Sequence, residues 1–351
     1  MMNRILDEDM LDIIKQPVNW DKLENKTVMI TGASGMVGSY FVRTLLKLNE
    51  VRNMNVRVIC VARNIKKIGE DILENGAVKV LSHDVTKPFE YADDIDYIIH
   101  AASPASPLIM KDSPVDTIAA NVLGTYYTLE LAREKNVDGY MFISSREIYG
   151  QPDENQEFFT EDTYGFVDPL DPRSCYPEGK KAAETMCASY RAQYGLNVKA
   201  ARLAHTYGPG MSIYDGRVQA DFLKNVLFNE DIVMKSEGLA VRTYTYIADA
   251  AAGMFLILLN GREIAYNIGD EKAKISIRGL AELLVKITPE RGLSVRLDIP
   301  QDGTKGCAPF TLGILDSSKL RALGWEPENT IEQGFKRTIE YLEIEKEAGR
   351  L

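Results

Sequence analysis

The sequence predicts an α/β protein, a doubly wound parallel sheet with a smaller lobe toward the C-terminus. Three observations carry that expectation. Short β-prone apolar runs alternate with helix-length stretches for about 200 residues, the rhythm of βαβ units. A glycine-rich turn follows the first of these runs at once. Beyond residue 204 the spacing becomes irregular, with Gly208-Pro209-Gly210 and a second proline-bearing stretch at 300–309. Crossovers between parallel strands are right-handed, which leaves helices on both faces of the sheet.

Each element follows from its own residues. In the first 25, Ile5, Leu6, Met10, Leu11, Ile13 and Ile14 stand among Asp and Glu. That pattern is an amphipathic helix ending near Pro17 and packed outside the main domain. Residues 26–204 read as a dinucleotide-binding domain. Its strands are expected at 27–30, 56–61, 78–81, 95–99, 139–143 and 198–203, with a helix around 117–134. Residues 205–351 are expected to form mainly a substrate-binding lobe, while about 240–268 return to the first domain.

Composition narrows the function. The 351 residues carry 41 Lys and Arg against 51 Asp and Glu, a formal charge of −10. A general nucleic-acid binder shows the opposite balance. Cys60, Cys175, Cys187 and Cys307 lack paired ligand spacing and only three histidines accompany them, so no metal site is expected. Scattered thiols without a cationic-plus-apolar leader predict a reducing cytoplasm. The longest apolar run, 250–259, is too short to span a bilayer, so no membrane partner is expected.

Thr31-Gly32-Ala33-Ser34-Gly35-Met36-Val37-Gly38 spells GxxGxxG between a strand and a helix. Glycine lets the backbone turn tightly and approach a pyrophosphate, whose charge the helix N-terminus stabilises. Gly32, Ser34, Gly35, Met36, Val37 and Gly38 are therefore cofactor-binding candidates in a Rossmann-type domain; the alternative is a plain packing turn. The second strand ends Val61-Ala62-Arg63-Asn64, with no acid to hold ribose hydroxyls. Arg63 would pair with a 2′-phosphate, which favours NADP, or would simply cap the strand end. NAD and NADP both remain open.

Tyr176-Pro177-Glu178-Gly179-Lys180 sets a phenol and an ammonium four residues apart on one helix face. Such a pair is expected about once by chance in a chain this size, so it needs company. Ser144-Ser145-Arg146-Glu147, after the fifth strand, supplies it. A nearby ammonium and an oxidised nicotinamide both favour phenolate, and the Ser145 hydroxyl can bond the same substrate oxygen. The trio would draw a proton from a carbinol as hydride leaves. The bland alternative is a solvated helix pair and a strand-end cap.

From residue 26 to the end the chain resembles the extended short-chain dehydrogenase/reductases of the NAD-dependent epimerase/dehydratase type that modify nucleotide sugars. Within them it is most similar to the branch that decarboxylates UDP-glucuronate. His83-Asp84-Val85 matches an adenine-contacting segment, and the run from His100-Ala101-Ala102-Ser103 to Pro107 matches the stretch behind the nicotinamide. Asn121-Val122-Leu123-Gly124-Thr125 fits the long helix, and Arg173 to Lys180 with Ala183-Glu184-Thr185-Met186 fits the catalytic one. Thr206-Tyr207-Gly208-Pro209, Asp215-Gly216-Arg217-Val218 and Arg242-Thr243-Tyr244 resemble nucleotide-sugar segments.

The resemblance implies Tyr176 as base, Lys180 on the ribose, Ser145 in support and Glu147 in later proton handling. It adds Asp84, Val85, Ala101, Ala102, Ser103 and Asn121 to the cofactor contacts, and puts Arg217 and Arg242 near a sugar diphosphate unless they form surface ion pairs. Three positions depart from the pattern. Arg146 replaces the serine of decarboxylases and the aspartate of 4,6-dehydratases, which speaks against dehydration; it would fork a substrate carboxylate or salt-bridge Glu147. His205 replaces a substrate-contacting asparagine, and Gly313 falls where an arginine is expected. The implied reaction begins with oxidation at C4 of a nucleotide-linked sugar. Decarboxylation is the leading outcome, with epimerisation, dehydration or reduction as alternatives and a cofactor-sensing scaffold as the non-enzymatic one. The family also implies a homodimer built from the 117–134 and 176–190 helices, through Tyr126, Tyr127, Met186 and Tyr190; an ordinary core stripe reads equally well.

Overall fold

The computed structural model describes residues 3–151, 156–299 and 314–351. Strands β1 (Thr27–Thr31), β2 (Arg57–Ala62), β3 (Val78–Ser82), β4 (Tyr97–His100) and β5 (Gly139–Ser145) join Val198–Leu203 and Ala265–Ile268 in one seven-stranded sheet. Every pairing in it is parallel. Strand order runs from Ala265–Ile268 through Val198–Leu203, β5, β4, β1 and β2 to β3. The order reverses between β1 and β4, the switch point where an open α/β sheet binds its ligand beyond the strands' carboxyl ends.

The strands are legible because a parallel sheet buries both faces and so reads as continuous apolar runs. All five residues of β1 are buried, as are the first six of β5. The helix Ile247–Asn260 is buried from Ile247 to Leu259. The apolar run 250–259 therefore belongs to a core helix, and none of the described helices is long and apolar enough to cross a membrane. Its Phe255 ring stands 4.8 Å from Phe41 and 4.9 Å from Trp20, both edge-on, which packs α2 (Met36–Arg52) against this helix.

The N-terminal helix α1 (Arg4–Lys15) buries Ile5, Leu6, Met10, Ile13 and Ile14 against this layer. Its Asp9 is 1% exposed and accepts from Tyr40 (2.6 Å) and Tyr246 (2.9 Å) while pairing with Arg337. Those partners lie on α2, the strand Val241–Tyr246 and the last helix, Ile331–Glu347. One carboxylate thus ties the start of the chain to its end. Over the sheet's carboxyl edge, a smaller sheet pairs Val241–Tyr246 in parallel with His205–Tyr207 and antiparallel with Lys274–Ser276. Cys60, Cys175 and Cys187 are buried free thiols; Cys307, Gly313 and the 300–309 stretch lie outside the described residues.

Candidate active site

The glycine turn leaves β1 and enters α2 with Gly35 at the helix N-cap. Gly32 has φ +69°, and a Cβ there would stand 2.8 Å from the Ala101 and Ala102 backbone. A Cβ on Gly38 would lie 2.2 Å from the Gly32 carbonyl oxygen. Gly35 differs: it is exposed, and a Cβ there would meet only Gly32 oxygen, at 3.4 Å. The outer glycines close the turn and the middle one leaves the helix N-terminus open, which fits a pyrophosphate. Ser34, Met36 and Val37 surround that opening, half-buried.

The adjoining strand ends complete the crevice. The Thr31 hydroxyl pairs with His100 Nδ1 (2.8 Å) and accepts from the Ala102 N–H (3.2 Å), fixing how the 101–103 segment leaves β4. Burial, aided by the Lys180 ammonium, lowers the His100 imidazole to about 3, so it stays neutral. Ser103 donates to the Asn121 carboxamide oxygen (2.9 Å), whose nitrogen donates to Thr117 (2.8 Å). Val85 is buried against Gly124. Asp84 holds Thr86 through its backbone and hydroxyl, and these bonds lower its carboxyl; Arg63, exposed past β2, lowers it further.

Tyr176 and Lys180 project from the helix Cys175–Tyr194 onto the end of β5. Lys180 is 2% exposed, donates to the Ile143 carbonyl (2.7 Å), and sits 4.6 Å from the Phe142 ring and 5.6 Å from the Tyr176 ring. Burial lowers it to about 7, against the pull of Glu184. Burial, with Glu147 in support, pushes the Tyr176 phenol up to about 12, while Ser145, Arg217 and Arg173 pull it down. The lysine does not by itself acidify the phenol; the expected shift joined it to an oxidised nicotinamide. The ammonium is itself desolvated and is spent on a carbonyl, so burial wins. Ser145 accepts from the Glu147 N–H (3.2 Å), and Glu147 pairs with Arg173 at 2.9 Å.

Four cationic or basic groups gather nearby. Arg217 bonds the Ala105 carbonyl (2.8 Å) and stands 3.6 Å from Asp215, so its charge is partly answered. Among the described residues Arg242 bonds only the Val241 carbonyl (2.8 Å). Arg146 Nε and His205 Nδ1 are buried without a hydrogen-bond partner among the described residues. Burial lowers three of these groups: Arg146 to about 10 (against the pull of Glu147), Arg242, and His205 well below its ordinary value, with the three arginines adding to the last.

Beneath them lies a buried network that the sequence reading used only as a string match. Glu184 accepts from the Ser144 hydroxyl and from Arg202, by Nε (3.1 Å) and Nη2 (2.7 Å). Arg202 Nη1 reaches the Tyr149 oxygen (2.8 Å), which donates to Asn267 (2.6 Å). Glu184 follows Lys180 by four residues on one helix face, the signal that would have found it. Of the three tyrosines and one methionine expected on a dimer face, Tyr126 is exposed and Tyr127 half-buried. Tyr190 is buried and bonded to Glu130, and Met186 packs on the core.

The model of the NAD dependent epimerase/dehydratase family matches residues 28–269. UDP-glucuronic acid decarboxylase 1 of Xenopus tropicalis is 32% identical over 92% of this chain and 74% of its own length. UDP-glucuronic acid decarboxylase 6 of Arabidopsis thaliana is 33% identical over 89% of this chain and 87% of its own. Among solved structures, a UDP-glucose 4-epimerase from Thermotoga maritima, with UDP-glucose, superposes with a TM-score of 0.74 at 25% identity, covering 90% of this chain and 98% of that one. A UDP-glucuronic acid 4-epimerase from Bacillus cereus, with UDP-glucuronic acid and NAD, shares the fold at a TM-score of 0.74 and 22% identity, over 91% and 99% of the two chains.

Proposed function

The chain belongs to the NAD dependent epimerase/dehydratase family, and on that premise we propose that it oxidises a nucleotide-linked uronic acid at C4, with loss of carbon dioxide as the leading outcome. The observation that carries this reading is the meeting of Tyr176, Lys180 and Ser145 at the sheet edge onto which the glycine turn opens. Bound NAD would supply the hydride acceptor at C4 and, once reduced, the donor that returns it. Gly32, Gly35 and Gly38 with the α2 N-terminus would hold its pyrophosphate, and Ala101 to Ser103 with Asn121 would line it. Arg63 follows β2 with a free surface position, which keeps a 2′-phosphate compatible.

Tyr176 would take the C4 hydroxyl proton while Ser145 bonds the same oxygen. Lys180 would hold the ribose and the charge balance of the phenol. A ketone at C4 makes the C6 carboxylate a β-keto acid: the C5–C6 bond breaks, its electron pair enters the enolate, and carbon dioxide leaves. Glu147 or Tyr176 would manage the proton returned to C5. Arg217 and Arg242 would meet the diphosphate. A homodimer and a reducing, cytoplasmic setting complete the proposal; the latter is favoured by three buried free thiols.

A second reading, epimerisation at C4 with the carboxylate kept, draws on the unpaired Arg146 guanidinium, because a cation beside a carboxylate stabilises the group that decarboxylation destroys. Mass spectrometry of product from UDP-glucuronate separates the outcomes: loss of 44 mass units, roughly one carbon dioxide, marks decarboxylation, and unchanged mass marks epimerisation. Tyr176→Phe is expected to lower kcat about 10²–10⁴-fold while dinucleotide binding persists. Full turnover by that variant, or no change in any nucleotide uronate, would defeat the reading.

A further inference from the structure

We infer that Arg146 forms a carboxylate subsite that selects nucleotide sugars carrying an acid at C6 over their neutral hexose counterparts. This rests on the nucleotide-sugar reading above and specifies its substrate. The position comes first. Ser145 caps the turn Arg146–Tyr149 at the end of β5, so Arg146 stands one residue from the hydroxyl placed at the reacting carbinol. In a uronic acid the carboxyl carbon is two bonds from C4. With Ser145 on the C4 oxygen, the neighbouring Arg146 side chain would have C6 within its reach.

Partnering comes second. Glu147, the nearest acid in sequence, is spoken for: both its oxygens accept from Arg173, at 3.0 and 2.9 Å. Arg146 makes no salt bridge with any described residue, and its Nε is buried without an acceptor. Glu147 lies close enough to act on it but is already forked by Arg173, and the other neighbours are basic, Arg242 and His205, whose Nδ1 has no partner among the described residues. A guanidinium drawn out of water, whose neighbouring acid already serves another arginine, is costly unless an anion arrives from outside.

Charge counting gives the class of anion. A sugar diphosphate brings charge for Arg242 and for Arg217, the latter already shared with Asp215. The third guanidinium is left over after the diphosphate is matched. It presents a planar fork, the geometry that suits a carboxylate. A neutral hexose would leave it unanswered, and such a mismatch discriminates strongly because the site's own polar group goes unpaired.

Calorimetric binding of UDP-glucuronate and UDP-glucose to the NAD-loaded protein tests this without requiring turnover. Arg146→Ser should weaken UDP-glucuronate at least about tenfold and leave UDP-glucose within about twofold, and Arg146→Lys should recover part of the preference. Retained dinucleotide loading and thermal midpoint identify the variants as folded; if Arg146→Ser fails that control, the Arg146→Lys preference is decisive. Equal losses for both ligands, or an unchanged preference in a folded variant, would overturn the subsite. Failure of the wild type to convert any nucleotide sugar, with its binding preference intact, would instead sink the catalytic reading alone.

Discussion

Burial outweighs the opposing charges and holds the Tyr176 phenol at about 12 and the Lys180 ammonium at about 7. The two shifts share a cause, since each disfavours the charged form of a group removed from water. At neutral pH, without dinucleotide, the phenol keeps its proton, and Lys180 is poised between its two states. A positive ring arriving beside the phenol would favour phenolate, so on the proposed roles acidification of Tyr176 would await the cofactor. In dinucleotide-free protein, the phenolate absorbance of the wild type and of Tyr176→Phe should coincide up to about pH 11. With oxidised NAD bound, the wild type should show one additional phenolate at lower pH. An additional phenolate near neutrality before cofactor is added would contradict the burial argument. The same residue scale explains why Arg146 was open in the sequence. Its alternatives, a substrate carboxylate or Glu147, differ only in where Arg173 reaches, and Arg173 is 27 positions away.

At the scale of elements, the strand–turn–helix unit of β1, the glycine turn and α2 depends on backbone touching backbone. A Cβ on Gly38 would stand 2.2 Å from the Gly32 oxygen and 2.7 Å from its carbon, atoms that cannot rotate away. Gly38→Ala must therefore push α2 from β1, an overpacking cost of about 1–3 kcal/mol. The displaced helix N-terminus should also lose dinucleotide affinity, measurable by fluorescence titration with NADH alongside urea unfolding. Unchanged affinity and stability would show that the turn has slack. This unit was legible in the sequence because its chemistry is local: an apolar run, three glycines at fixed spacing, then a helix. Strand ends moved by one or two residues, as at Arg57–Ala62 and Tyr97–His100. The edge strand Ala265–Ile268 was harder to see. Its Ala-Tyr-Asn-Ile holds a buried Asn267 that bonds Phe159 and Asp316 carbonyls, so its place depends on partners over 40 residues away on either side. The Glu184–Arg202–Tyr149 network was hidden for the same reason, as it joins three elements through side chains alone.

For the whole molecule, charge and exposed apolar surface pull in opposite directions. A formal charge of −10 on each copy opposes self-association, so a dimer must gain its stability from an apolar face. The helix Pro114–Glu134 offers one: Val115 is 75% exposed, Ile118 37% and Tyr126 44%. Positions 115, 118 and 126 lie close together around the helix axis, and Tyr194, at the end of the neighbouring Cys175–Tyr194 helix, is 49% exposed. These two helices pack on each other through Gly179, where a Cβ would come within 3.0 Å of Asn121, so this surface is carried by the same helices as the candidate site. Pairing there would stiffen the helix that carries Tyr176 and Lys180. Light scattering should accordingly report about twice the chain mass, and Ile118→Asp with Tyr126→Asp should shift it to one, because each adds a charge to a face that dimerisation desolvates. The monomeric variant is expected to keep its fold by circular dichroism, since both side chains face solvent in the isolated chain. A wild type that scatters as one chain at micromolar concentration, or a double variant that remains paired, would remove this face as the contact.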